Sequence, residues 1–180
     1  VIVTPSTYGT DNSLLLEGLN QLGKNAKGVA VISGDEKDDD LIAMHAQGVR
    51  GVRVNLSQGV THDIQAIEKL AQRIQPLGWH LQLLMSMETL LSLESVLYQL
   101  PVDIVFDHFA RITHSQYGTH PALALVLDLI KNNRAWVKLS GGYIVSSVGS
   151  TEDSSLDSLA KSFIEAAPDR VIWGSDWPHA

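Results

Sequence analysis

Asp176 closes the run Val171-Ile172-Trp173-Gly174-Ser175-Asp176, which is then stopped by Trp177-Pro178. An apolar run ending in Gly-Ser-Asp delivers a carboxylate to the C-terminal tip of a strand, where α/β proteins build their sites. A carboxylate in that place can take a proton from water as a general base. The other reading is an Asp that caps the following helix or turns the chain. His108 is the second chemical candidate, in Ile104-Val105-Phe106-Asp107-His108-Phe109-Ala110-Arg111. Ile104, Phe106 and His108 share parity, so His108 ends the inward face of a strand and Arg111 follows on the loop. A histidine there can polarise a carbonyl, carry a proton or bind a divalent metal near neutral pH. Asp107, of opposite parity, reads as a carboxylate that anchors the loop or orients a neighbour.

The same alternation sorts three other runs. In Gly51-Val52-Arg53-Val54-Asn55, Arg53 and Asn55 share the face opposite Val52 and Val54. An inward Arg is costly unless an anion meets it, and its planar fork matches a carboxylate; the other reading is a structural ion pair with a neighbouring strand. In Trp79-His80-Leu81-Gln82-Leu83, His80 begins the strand as a core histidine and Gln82 lies nearer its end. In Trp136-Val137-Lys138-Leu139-Ser140, Ser140 is placed to donate a hydrogen bond, and Lys138 reads as the partner of a buried carboxylate. There is no Gly-x-Ser-x-Gly elbow and no dinucleotide fingerprint, so serine-hydrolase and NAD-dependent chemistry find no support.

Seven short apolar runs position these residues: Val1–Thr4, Gly28–Ile32, Gly51–Leu56, Trp79–Leu84, Val102–Phe106, Ala135–Leu139 and Arg170–Trp173. Between them, apolar residues recur at three and four over Ser13–Gln21, Asp40–Gln47, Thr61–Gln75, Met87–Leu97, His120–Asn132 and Leu156–Ala166. Alternating β and α units predict an α/β fold around a parallel sheet. Thr61 and Asp63 offer N-cap chemistry to the third helix, and Gly78 ends it. Ser140–Ser155 reads as one long βα loop, a length usually tied to a site. Seven strands are one short of a closed (β/α)8 TIM barrel, and 180 residues fall below the ~200 a complete barrel usually has. The expectation is a barrel whose first strand and terminal helix lie outside this sequence; an open doubly wound sheet is the other reading.

The chain carries 13 Lys and Arg against 20 Asp and Glu, a net charge of −7, with no basic cluster, which argues against nucleic acid or an anionic membrane as partner. The acidic run Asp35-Glu36-Lys37-Asp38-Asp39-Asp40 reads as a solvated approach to a helix N-terminus. Without cysteine, disulfides, thiolate zinc sites and cysteine nucleophiles are excluded. No apolar stretch has membrane-spanning length and no secretion signal is seen, so a cytoplasmic location is expected.

Five ordered tags resemble a known family: Tyr8-Gly9-Thr10-Asp11-Asn12, Gly48-Val49-Arg50-Gly51-Val52-Arg53-Val54-Asn55, Gly78-Trp79-His80-Leu81-Gln82, Phe106-Asp107-His108-Phe109-Ala110-Arg111 and Trp173-Gly174-Ser175-Asp176-Trp177-Pro178-His179. They look like the amidohydrolase-related family that includes 2-pyrone-4,6-dicarboxylate lactonase, from end to end of the chain. The resemblance implies that the chain covers strands two to eight of a (β/α)8 barrel whose first strand bears a His-x-His pair. It further implies that His108 ends strand six, that Asp176 ends strand eight and activates water, that Arg53 and Arg111 hold a substrate carboxylate, and that Tyr8 lies near the site. Members differ in metal dependence: the pyronedicarboxylate enzyme is thought to act without a bound metal, and related lactonases use a divalent ion. Gly142-Tyr143-Ile144 offers no arginine for a second carboxylate, which leaves the particular substrate open.

The expectation that results is a single domain, residues 1–180, of a hydrolase acting on a carboxylate-bearing lactone or related cyclic ester. Asp176 and His108 are the catalytic candidates. Arg53, Arg111, Tyr8, Asn55, Gln82, Ser140 and His179 are the substrate-binding ones. No cofactor is required, or one divalent metal such as zinc is held by His108 and Asp176. The partner is a small-molecule carboxylate, and assembly is as a homo-oligomer. Two alternatives stand beside it, a metal-dependent decarboxylase of the same superfamily and a non-catalytic carboxylate-binding barrel.

Overall fold

Short apolar runs separated by amphipathic segments too long for hairpins leave crossover connections and parallel pairing as the way to join neighbouring strands. The structure, a computed structural model, describes residues 1–57, 64–113 and 117–178. The strands are β1 (Ile2–Val3), β2 (Gly28–Ala30), β3 (Val49–Asn55), β4 (His80–Leu84), β5 (Ile104–Phe106), β6 (Ala135–Leu139) and β7 (Val171–Trp173). They form an α/β fold with a seven-stranded parallel sheet in which strand order is chain order. Each expected strand is present, most of them trimmed by one or two residues at an end. The helices are α1 (Ser13–Leu22), α2 (Asp38–Ala46), α3 (Ile64–Ile74), α4 (Met87–Ser92), α5 (Glu94–Gln99), α6 (Pro121–Lys131), α7 (Gly142–Val145) and α8 (Ser155–Ala166). Among the described residues no helix is long and apolar enough to cross a membrane.

The chain divides into two compact units, Val1–Gln82 with Leu100–Asp103, and Leu83–Gln99 with Ile104–Ala180. In the first unit, Ile2 stands opposite Gly28 and Val3 opposite Val29, with Leu15 and Leu19 of α1 buried against them. Gly28 is bare because a Cβ there would come within 2.7 Å of Leu19 Cδ1. The buried Asn12 ties the ends of β1 and β2. Its Oδ1 accepts from Thr4 Oγ1 at 2.8 Å and from Val31 N at 3.0 Å, and its Nδ2 donates to Val31 O at 2.8 Å. The acidic run leads into a helix N-terminus, which begins two residues before the expected Asp40: Asp38, Asp39 and Asp40 form the first turn of α2, where unpaired N–H groups favour negative charge. Ile67, Ala71 and Ile74 give α3 its buried stripe, and Gly78 closes the following turn at φ 63° and ψ 30°. The N-cap expected from Thr61 and Asp63 lies outside the described residues. Gly51 lets β3 and β4 approach, since a Cβ there would meet the His80 ring at 2.4 Å.

In the second unit, Ile104 stands opposite Ala135 and Phe106 opposite Val137, while Val137 and Leu139 stand opposite Val171 and Trp173. The single helix expected over Met87–Leu97 is two. The backbone breaks at Leu93 (φ −97°, ψ 3°), which is itself buried, so the apolar periodicity runs through the break and conceals it. Ser86 caps α4, its Oγ accepting from Thr89 N at 3.2 Å. Ser140–Ser155 is likewise not one open loop. It contains α7, and Asp153 gathers its far end: Oδ2 accepts from Ser146 Oγ at 2.8 Å and from Ser147 N and Oγ at 3.0 Å, and Oδ1 accepts from Ser155 N at 2.9 Å.

Candidate active site

Three strand ends of the second unit supply the candidate side chains. Strand β5 stops at Phe106, so strand alternation does not set the direction of His108. A turn of left-handed backbone does, with φ of 49°, 55°, 54° and 57° at His108, Phe109, Ala110 and Arg111. No glycine announces this turn; buried Phe109, Ala110 and Ile112 hold it in place. Asp176 is also left-handed, at φ 57°. His and Asp enter this region more readily than most side chains, and residues kept there against preference cluster at functional sites.

The turn places the His108 ring between two partners. Nδ1 is 2.9 Å from Ser140 Oγ, and Nε2 is 3.7 Å from Asp176 Oδ1. The first is a hydrogen bond; the second is too long for one. The His108 side chain is 6% exposed and that of Asp176 26%, so the pair has a dry side and a wet one. Tyr143, on α7, donates its hydroxyl to Asp176 Oδ2 at 2.9 Å. Burial, then the hydrogen bond and charge of Asp176, push the Tyr143 phenol above its usual range, which keeps it a donor. Gly141, at φ 57°, makes this crowding possible: a Cβ there would lie 2.8 Å from His108 Nδ1 and 3.1 Å from Asp176 Oδ2. Beneath the site, Lys138 Nζ meets Asp107 Oδ1 at 2.5 Å.

The remaining sequence candidates are placed as follows. Arg111 ends the turn that carries His108 and is part-exposed. In the first unit, Arg53 Nη1 and Asn55 Nδ2 both donate to Ser6 Oγ, at 3.0 and 2.9 Å, so the two share a face. Both line a cavity of about 690 Å³ with Ser33, Lys69 and Arg73. Tyr8 is in a short turn and 49% exposed, whereas Gln82 is 3% exposed. His179 lies outside the described residues. Ser6, Gly141 and Tyr143 were not foreseen as site residues. The available signal was a hydroxylated aromatic directly after the Gly141-Gly142 pair, in a stretch otherwise rich in Gly and Ser.

His108 and Asp176 are two donors, and catalytic divalent metals take about three protein ligands. No group of three or more His, Asp or Glu that could hold a metal ion occurs among the described residues, so these residues alone do not complete such a site.

Parallel strands in chain order define an α/β protein, and His108, Ser140 and Asp176 converge past strand ends, where such folds commonly carry sites. Residues 1–180 match the Amidohydrolase family model, and the chain belongs to that family. It is 31% identical over 183 residues to 4-sulfomuconolactone hydrolase of Hydrogenophaga intermedia, covering 100% of this chain and 60% of that protein. It is 30% identical over 189 residues to 2-pyrone-4,6-dicarboxylate hydrolase of Comamonas testosteroni, covering 99% of this chain and 62% of that one. The chain thus spans about three fifths of the length of these curated relatives. Among solved structures it resembles an Acinetobacter baumannii protein described as a probable 2-pyrone-4,6-dicarboxylic acid hydrolase with citric acid bound. The TM-score is 0.86 at 29% identity, over 99% of this chain and 68% of that one.

Proposed function

We propose that the protein hydrolyses a carboxylate-bearing lactone or related cyclic ester. The observation that carries this reading is the Asp176 carboxylate, whose Oδ1 lies 3.7 Å from His108 Nε2 at the wet side of a buried histidine. In this reading Asp176 takes a proton from water, the hydroxide oxygen bonds to the ring carbonyl carbon, and the ring C–O bond breaks. The departing oxygen receives the proton, giving an open-chain hydroxy acid or its keto form. In the tautomer whose Nδ1 accepts the Ser140 hydroxyl, the His108 proton resides on Nε2, from which it can steady the charge that develops on the carbonyl oxygen.

Arg111 in the second unit, and Arg53 with Asn55 in the first, are each assigned to a substrate carboxylate, with Tyr8, Gln82, Ser140 and His179 as further contacts. The family resemblance supports this, as does the match between the planar guanidinium fork and a carboxylate. The seven strands correspond in this proposal to strands two to eight of a (β/α)8 barrel. A divalent ion such as zinc, if the protein uses one, would take His108 and Asp176 among its ligands and lower the pKa of its water; no step above depends on it.

The test is turnover of a panel of carboxylated lactones by the full-length protein, followed by acid release with and without chelator. Ring opening supports the proposal, and its persistence in chelator shows that no removable metal is needed to activate the water. A protein that binds the acids without opening any ring is the carboxylate-binding alternative, and carbon dioxide release identifies the decarboxylase.

A further inference from the structure

The proposed hydrolysis uses one oxygen of Asp176, and a carboxylate has two. Oδ1 faces His108 Nε2 at 3.7 Å, whereas Oδ2 accepts the Tyr143 hydroxyl at 2.9 Å. An oxygen already accepting a phenol O–H has less electron density to offer a second proton than its partner oxygen. The torsion that exchanges the two oxygens is broad and two-fold, so packing alone does not distinguish them. We propose that Tyr143 is a positioning residue that pins Oδ2 of Asp176 and so reserves Oδ1, the oxygen on the His108 side, for the proton of water. This rests on the hydrolytic reading above.

The surroundings of Tyr143 fit that task. Helix α7 is one turn long, yet it is clamped at both ends. At its start, Gly141 has no side chain, and the space a Cβ would take is filled by His108 Nδ1, Ile144 Cδ1 and Asp176 Oδ2, all within 3.1 Å of it. At its end, Ser146 N donates to Gly142 O at 2.9 Å and Ser146 Oγ to Asp153 Oδ2 at 2.8 Å. Val145 is buried between them. A hydroxyl delivered from a clamped turn holds one direction, which is what orienting a carboxylate requires.

Tyr143→Phe in the full-length protein keeps the ring and removes only the donor. The expected result is a fall in kcat of about tenfold or more, with KM changed by less than about twofold. In an Asp176→Asn background, adding Tyr143→Phe should lower the residual rate by no more than about twofold, because Tyr143 acts through Asp176. A crystal structure of the Tyr143→Phe variant should show the carboxylate turned away from its parent orientation. An unchanged kcat, a KM that rises while kcat holds, a further full loss in the double variant, or an unmoved carboxylate overturns the proposal. If the parent opens no lactone, the hydrolytic reading fails by itself, and the orientation of Asp176 in the variant still decides whether Tyr143 pins it.

Discussion

Lys138 Nζ lies 2.5 Å from Oδ1 of Asp107, and the Asp107 side chain is 1% exposed. The pair joins the penultimate residue of β6 to the residue just before the turn that carries His108. Lys138→Met leaves a carboxylate inside the second unit without its cation, a change that costs about 3–5 kcal/mol. Urea unfolding of the full-length protein should show the loss as a lower midpoint. Replacing both partners, Lys138→Met with Asp107→Leu, should recover most of it. An unchanged midpoint in the single variant would mean that Asp107 is satisfied by other groups.

Asp176→Asn keeps the shape of the side chain but cannot take a proton from water. Turnover should fall by about 10²–10⁴-fold, the usual contribution of a general base. Thermal unfolding should stay near that of the parent, because the carboxylate is a quarter exposed rather than buried. An Asn variant with near-normal turnover removes Asp176 from the mechanism.

Arg53→Met and Arg111→Met test carboxylate recognition. Each should raise KM more than it lowers kcat, unless the contact tightens in the transition state. The decisive comparison is an uncharged ester analogue. If the variants lose as much on that analogue as on the acid, charge pairing is the wrong explanation.

Asp153 supplies a pH test. Ser155, ahead of Ser146 and Ser147, holds its carboxyl well below the ordinary carboxylate range. A depressed folded-state pKa contributes stability that is complete above the unfolded value and is lost as pH falls toward the folded one. The gap in thermal midpoint between the parent and Asp153→Ala should therefore be widest near neutrality and narrow below about pH 4. A gap that stays constant down to pH 3 would show that the loop does not depend on the charge.

How far the sequence disclosed this arrangement depends on whether a residue sits inside a regular element. On β3, alternation alone puts Arg53 and Asn55 on one face, and Ser6 Oγ receives both. Apolar runs ending in Gly-Ser-Asp or in Asp-His mark strand ends, and there the structure sets His108 beside Asp176. Alternation fails two residues past β5, at His108, where left-handed backbone without glycine takes over and nothing in the residue types announces it. Tyr143 escaped for a related reason. A one-turn helix in a Gly- and Ser-rich stretch has no period to detect, and its contact with Asp176 joins residues 33 apart in the chain. The kink at Leu93 was hidden because both short helices bury the same stripe.

The left-handed turn at His108–Arg111 bears on how this site can diversify. The imidazole is aimed by the backbone, and the backbone is held by Phe109, Ala110 and Ile112, which are 7%, 4% and 0% exposed. Substituting His108 changes the reagent but not the aim. To move the imidazole toward a ligand of another size, a lineage or a designer would have to repack those three buried apolar side chains.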